Sequence, residues 1–416
     1  MLPLFRAYPR LADALPYVPL GEFPTPVERP TALGQALGLA ALYVKRDDRS
    51  GRIYGGNKVR TLEFLLARAV NRDARRVFTL GFAGSNYALA TAVYARQLGL
   101  RCTSVLLPQA NAGYVRLNLL ASHHHGADLC HTAHLVTTPF AVVTQAVRCL
   151  IREGGRVAFL PPGGSSPLGT VGYVNAAFEL RDQIVAGELP EPDVIYTALG
   201  SMGTAAGLML GLRAAGLRTR VVPIRIIEPW LAGPGRLLSL LRGASALLSR
   251  SDPGFPRLTW RLRDVQMRGD QLGSGYARFT GQGVRAARLL QDTAGIPANG
   301  AYTAKAFAAL VGDATAGVLA GKVVLFWNTF NSRDLAGVVA TADFRRLPRQ
   351  FHLYFTGALQ PLDRQNTSAQ LSGSPDQLFS WGSGFIPPAR MRWMPATRAG
   401  FNPAPTMARR TLRCCW

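Results

Sequence analysis

VIYTALGSMGTAAGLMLGL, residues 194–212, runs from an apolar, β-rich stretch through a turn of small residues into a helical pattern. Val, Ile, Tyr and Thr suit a pleated, buried surface, and Ala, Leu and Met suit a helix. Strand, glycine turn and helix in that order form the repeating unit of a parallel sheet. The same alternation runs from about residue 60 to 330. Candidate strands are RVFTL (76–80), CTSVLL (102–107), RVAFL (156–160), RVVPIRII (220–227) and KVVLFW (322–327), besides 193–199 itself. They are apolar on both faces, as buried parallel strands are. Between two of them Leu62, Leu65, Leu66 and Ala69 fall at i, i+3, i+4 and i+7, one helical face. The fold class expected is therefore α/β, with parallel-type sheets flanked by helices.

The turn itself has chemistry. Gly200, Ser201, Met202, Gly203 and Thr204 let successive backbone N–H groups converge on an anion at a helix N-terminus, and a phosphate is the natural guest. Thr204 offers a hydroxyl and is expected to cap the helix. No Lys-Ser/Thr follows, so this is not a Walker loop, and the glycine spacing is not GxGxxG. A plain strand-to-helix turn would use the same residues, so both readings stay open. GFAGSNYALATAVYARQLGL (81–100) repeats the pattern, with Ser85 and Asn86 at the helix start. They serve as caps, as a helix end facing a ligand carboxylate, or as both.

YGGNKVRTLEF (54–64) spends a scarce residue. Of 47 basic side chains only four are lysine, Lys45, Lys58, Lys305 and Lys322. A generic positive charge here would be arginine, so Lys58 is read as needed for its amine. It stands after Gly55, Gly56 and Asn57 at the start of a helix over 59–70. Desolvation and the positive helix end both lower its pKa there and favour the neutral nucleophile.

Composition bounds the rest. The chain has 416 residues, 48% hydrophobic and 17% charged, which excludes a fully disordered protein. No apolar run reaches the roughly 18 residues that span a bilayer. The N-terminus lacks a secretory pattern, and five cysteines without CxxC spacing read as reduced thiols, so a cytoplasmic protein is expected. The formal charge of +23 invites nucleic acid, but the arginines are scattered, and no specific nucleic-acid or membrane partner is expected. Five of six histidines lie at 123–134. His123, His124 and His125 point different ways on a helix that Gly126 ends, so no metal site is assigned.

A phosphate cradle, a reactive lysine and a carboxylate-binding helix end suit one cofactor, pyridoxal 5'-phosphate. GGNKVRTLEFLL, GSNYALATAVYARQLGL, LPPGGSSPLGTVGYVNAAFEL, GSMGTAAGLMLGL and AYTAKAFAALV occur in that order. Together they resemble the fold-type-II (tryptophan synthase β-like) pyridoxal-phosphate enzymes, most of all the branch of D-cysteine desulfhydrase and 1-aminocyclopropane-1-carboxylate deaminase. The resemblance spans about residues 10–355. It implies that Lys58, beside Asn57, holds the cofactor as a Schiff base, and that Asn86 lies beside the ring. Ser85 would stand near the substrate carboxylate, Gly200 to Thr204 around the phosphate, and Tyr276 and Tyr302 as active-site tyrosines. Thr329 would face the pyridine nitrogen, where a neutral partner favours elimination over transamination. The chain departs from the family at Thr61, where a second lysine is usual, at Tyr87, and at Phe330-Asn331. Thr303 replaces the deaminase glutamate and leans towards the desulfhydrase.

The expected organisation is a large cofactor domain from 1–61 and 166–357, a small domain over 62–165, a cleft between them, and a loose basic tail over 358–416. The expected activity is amino-acid α,β-elimination to a 2-keto acid, ammonia and sulfide by a homodimer. Cyclopropane deamination, dehydration and β-replacement are the alternatives, with a non-enzymatic relic or a basic nucleic-acid binder behind them.

Overall fold

Residues 1–363, apart from 135, 137 and 154, are described by the computed structural model. Among them are nine strands in two sheets. One has the order β1-β2-β9-β7-β8, from Val27–Glu28 (β1), Ala41–Lys45 (β2), Val194–Leu199 (β7), Arg220–Arg225 (β8) and Val323–Trp327 (β9). The other has the order β5-β4-β3-β6, from Ala74–Phe82 (β3), Arg101–Leu107 (β4), Ala127–His131 (β5) and Arg156–Phe159 (β6). Every named pairing is parallel except β1 with β2. The chain is thus α/β with parallel sheets flanked by helices, as expected.

Each strand expected from sequence is present, with its end shifted by no more than a few residues. Three were not expected: β1, β2 and β5. The helix expected at 59–70 spans Lys58–Val70, and it buries more than its apolar stripe, with Arg60 and Glu63 also enclosed. The helix Pro167–Val185 is buried along most of its length and packs on Gly203–Ala214. That contact needs glycine: a Cβ on Gly207 would lie 2.3 Å from the Cβ of Tyr173. The helix Gly113–His124 ends in the histidines, and Gly126 follows at φ +79°. Among the described residues no three His, Cys, Asp or Glu side chains are grouped to hold a metal, and no helix is long and apolar enough to cross a membrane.

One corner of the expected tail is packed. Gln360 Nε2 donates to Ala277 O at 3.1 Å, and Gly113 N donates to Asp363 Oδ2 at 2.5 Å. These side chains find polar partners that a composition argument does not see. Residues 364–416 lie outside the described residues.

The strands' C-terminal ends from both sheets meet at one place. The end of β3 with the turn that follows (81–86), and the segments after β6 (160–165), β7 (200–204) and β9 (328–330), all reach it. Parallel sheets present their loops and helix N-termini at this end, which is where such folds bind ligands.

Candidate active site

The four segments enclose a cavity of about 410 Å³. It is lined by Asn57, Lys58, Ser85, Asn86, Gly200, Ser201, Met202, Thr204, Tyr276, Tyr302 and Thr329 among others, so eleven of the twelve residues singled out from sequence line one cavity. The twelfth, Gly203, begins the helix behind the turn.

Lys58 is the first residue of its helix, and its Nζ lies 3.1 Å from Gly163 O and 3.3 Å from Ser201 Oγ. Lys58 is half-buried, and desolvation by the walls around it lowers its pKa from 10.5 to about 8. The other lysines are engaged elsewhere. Lys45 is buried against Glu179 at 2.6 Å, Lys305 donates to Leu272 O at 2.7 Å, and Lys322 donates to Val318 O at 2.8 Å. Lys305 also has its pKa lowered to about 8 by burial, but it does not line the cavity. Position separates the two.

The turn after β7 places Met202 in the left-handed region at φ +71° and starts the helix at Gly203. The first turn of a helix leaves N–H groups without intrahelical partners; that of Gly203 donates to Ser165 Oγ at 3.2 Å, and the next two residues, Thr204 and Ala205, line the cavity. Thr204 does not cap this helix; Met202 holds that position, without a side-chain bond. The Thr204 Oγ1 instead accepts from Asn57 Nδ2 at 2.9 Å, tying the lysine segment to the turn. Capping fails because the turn needs a left-handed residue just before Gly203, and Thr204 falls inside the helix. The loop after β6 closes over this turn, and Gly163 permits it: its Cβ would fall 2.4 Å from Ser201 Cβ.

Ser85 caps its helix, its Oγ accepting from Ala88 N at 3.2 Å. Asn86 follows, its Oδ1 accepting from Asn118 Nδ2 at 2.9 Å. On another wall Tyr276 and Tyr302 bring their hydroxyls to 2.5 Å. Burial raises both phenols' pKa, so they enter chemistry as O–H groups. Thr329 follows β9, and its carbonyl accepts from Asn57 N at 3.1 Å.

Sequence reading missed three features. Gly163, Ser165 and Pro162 were quoted within a motif but given no place at the site. Arg236 reaches the cavity from the helix Pro234–Ser251. Beneath Lys58 lies a buried ionic cluster. Arg60 pairs with Asp47 at 2.8 Å and with Glu179 at 2.8 Å, and Trp327 Nε1 donates to Asp47 at 2.7 Å. It fixes the lysine's helix to β9 and to Pro167–Val185. Arg60, two positions after the reactive lysine, was the only signal of it, and a charged residue carries no mark of burial in sequence.

The lining holds two cations, Lys58 and Arg236, and no carboxylate; the rest is hydroxyl, amide, backbone and apolar. That donor set, with an amine of lowered pKa beside a helix N-terminus, fits a molecule carrying an aldehyde at one end and a phosphate at the other. The comparisons agree. The model of the family described as "Pyridoxal-phosphate dependent enzyme" matches residues 18–329, and the chain belongs to that family. It is an enzyme whose cofactor is pyridoxal phosphate. It is 36% identical over 330 residues to nocardicin C-9' epimerase of Nocardia uniformis subsp. tsuyamanensis, covering 78% of this chain and 95% of that protein. It is 31% identical over 293 residues to D-cysteine desulfhydrase of Salmonella choleraesuis, covering 69% and 85%. A crystal structure of an ACC deaminase homologue superposes with a TM-score of 0.67 at 30% identity, covering 80% of this chain and 98% of the other.

Proposed function

We propose that the protein is a lyase that removes a β-substituent and the amino group from a small amino acid, in the manner of D-cysteine desulfhydrase. The observation that carries this reading is the pairing, in one cavity, of an amine depressed to about 8 with a phenol pair held in the protonated form. The first is a base and the second an acid near neutral pH.

Lys58 Nζ, the turn 200–204, Asn57, Asn86 and Thr329 would hold pyridoxal phosphate, which, when bound, stabilises negative charge developing at the substrate's Cα. The helix end capped by Ser85 binds the substrate carboxylate through its N–H groups. Lys58 takes the Cα proton. The Cβ–S bond then breaks with its electron pair going to sulfur, and Tyr276 gives that sulfur its proton while Tyr302 stabilises the phenolate left behind. Water completes the balance: cysteine plus water gives pyruvate, ammonia and hydrogen sulfide. Two domains, 62–165 against 1–61 with 166–357, would close on the cavity and exclude water from the earlier steps.

The resemblance is the sole support for a homodimer, which sedimentation equilibrium tests. A reducing, cytoplasmic setting is supported by Cys102, Cys130 and Cys149, all free thiols. A panel of D- and L-amino acids assayed for keto acid, ammonia and sulfide tests the activity: sulfide from D-cysteine supports it, and no keto acid from any β-substituted amino acid contradicts it. Thr303 at the cavity wall leaves cyclopropane deamination as the weaker alternative. The epimerase relative supports a second reading, inversion at Cα without loss of a substituent. Exchange of the Cα hydrogen with deuterated water, without keto acid, would favour it.

A further inference from the structure

We propose that Gln360 is a positioning residue for Tyr276, and that the segment 353–363 carrying it is a strap that ties the tyrosine's loop to the loop after β4. The inference rests on the acid role given to Tyr276 above. Neither Gln360 nor the strap's anchor, Asn111, lines the cavity.

Tyr276 stands in GSGYARF (273–279), a stretch in neither helix nor strand that precedes the helix Gly281–Ala294. Gly273 and Gly275 take φ of +67° and +131°, and Ala277, which has a Cβ, takes +60°. Two glycines leave such a loop many conformations, and a left-handed alanine is disfavoured among them. Within the stretch, Arg278 N reaches Gly275 O only at 3.3 Å. The tyrosine's position therefore has to be imposed from outside. Three side chains impose it. Lys305 Nζ donates to Leu272 O at 2.7 Å, and Glu228 Oε1 accepts from Tyr276 N at 2.9 Å. Both belong to the side of the five-stranded sheet: Glu228 follows β8, and Lys305 lies on the helix Thr303–Thr315, which packs on β7. Gln360 is the third. Its Oε1 accepts from Phe279 N at 2.8 Å, and its Nε2 donates to Ala277 O at 3.1 Å. A backbone N–H can only donate and a carbonyl only accept, so each bond alone requires the same orientation of the amide. Gln360 thus takes the carbonyl of one residue and the N–H two residues on, the pair that a parallel neighbouring strand would take. It holds Ala277, the residue after Tyr276, in its left-handed conformation.

The strap's other attachments are to the four-stranded sheet. Gln360 N donates to Asn111 O at 3.0 Å, in the loop between β4 and the helix Gly113–His124. Asn111 Nδ2 lies within hydrogen-bonding distance of three strap carbonyls, Tyr354 O at 2.9 Å, Gly357 O at 3.1 Å and Ala358 O at 3.2 Å. Arg116 Nε and Nη2 donate to Tyr354 O at 2.7 Å and to Gly357 O at 2.8 Å. One residue, Gln360, therefore joins the loop after β4 through its backbone to the Tyr276 loop through its side chain. A shift of one sheet relative to the other, as in the closure proposed above, is carried by the strap to the acid, so Tyr276 is in register only in one arrangement of the two.

Two measurements on the holoenzyme test this. Hydrogen exchange followed by mass spectrometry reads the loop without catalysis. The peptide holding Ala277 to Phe279 should exchange about tenfold faster in Gln360→Met, which keeps the side chain's length and loses both bonds. It should exchange several-fold faster in Asn111→Ala, which leaves Gln360 in place and touches neither Tyr276 nor the cavity. Wild-type protection in Asn111→Ala overturns the strap. Turnover of D-cysteine separates positioning from folding. Gln360→Met should lower kcat by about tenfold, with KM and the cofactor's absorbance unchanged. In a Tyr276→Phe background the same substitution should lower kcat no further, because the acid through which Gln360 acts is already gone. An equal loss in both backgrounds makes Gln360 merely structural and overturns the proposal. A wild-type kcat in Tyr276→Phe, with the exchange as expected, would instead overturn the acid role alone.

Discussion

Lys58 Nζ lies 3.3 Å from Ser201 Oγ, which joins the scarce lysine near the start of the chain to the glycine turn more than a hundred residues later. The two segments have no reason in sequence to meet. They meet because the buried cluster under Lys58 and the Asn57–Thr204 hydrogen bond draw the lysine's helix onto the end of β7. A base and an anion cradle then share one cavity.

The lowered pKa of Lys58 has a measurable consequence. A neutral amine captures the cofactor's aldehyde, so the capture rate of the apoprotein should rise about tenfold per pH unit below about 8 and level off above it. Stopped-flow absorbance checks this. Continued rise towards pH 10 would show that the cavity does not desolvate the amine.

Thr204→Val should loosen cofactor retention. It leaves Asn57 Nδ2 without its acceptor and removes a hydroxyl from the turn, a loss of about 1–2 kcal/mol, or roughly tenfold in Kd. Equilibrium dialysis against pyridoxal phosphate measures it, and an unchanged Kd would separate the turn from the phosphate.

Tyr276→Phe should retain the cofactor's absorbance while kcat falls by about 10²–10⁴-fold. Tyr302→Phe should fall less, since it supports the acid without delivering the proton. Equal, small effects would remove the phenols from the chemistry.

The cluster sets an acid limit to stability. Burial would raise the Glu179 carboxyl, but Arg60 and Lys45 outweigh it and hold its pKa near 2, against an ordinary 4.5. The stabilisation is complete above about pH 4.5 and fades as pH falls towards 2. Glu179→Gln should cost about 3–5 kcal/mol at pH 7, because Arg60 and Lys45 are left buried with too little negative charge. Urea titration at pH 7 and pH 3 should show the gap narrowing in acid; an equal cost at both would contradict the ionic account.

Much of this was legible in the sequence, for physical reasons. Parallel strands buried on both faces, such as 194–199, are nearly continuous apolar runs, and glycine turns mark where each one ends. β5 escaped notice because Ala127–His131 mixes Asp and His with apolar residues on a strand paired on one side only. β2 was hidden because its lysine looks solvent-facing until Glu179 and Gln183 are seen to enclose it. The rarity of lysine singled out Lys58, and spacing singled out 200–204 and Ser85. Neither could show Arg236, which reaches the cavity from a helix that begins thirty residues after the turn.

The most direct test of the central claim is the visible absorbance spectrum of the protein reconstituted with pyridoxal phosphate, taken for wild type and Lys58→Ala, before and after D-cysteine. The account predicts a cofactor band in the wild type that D-cysteine perturbs, and no such band in Lys58→Ala. A wild-type band surviving in Lys58→Ala would contradict it.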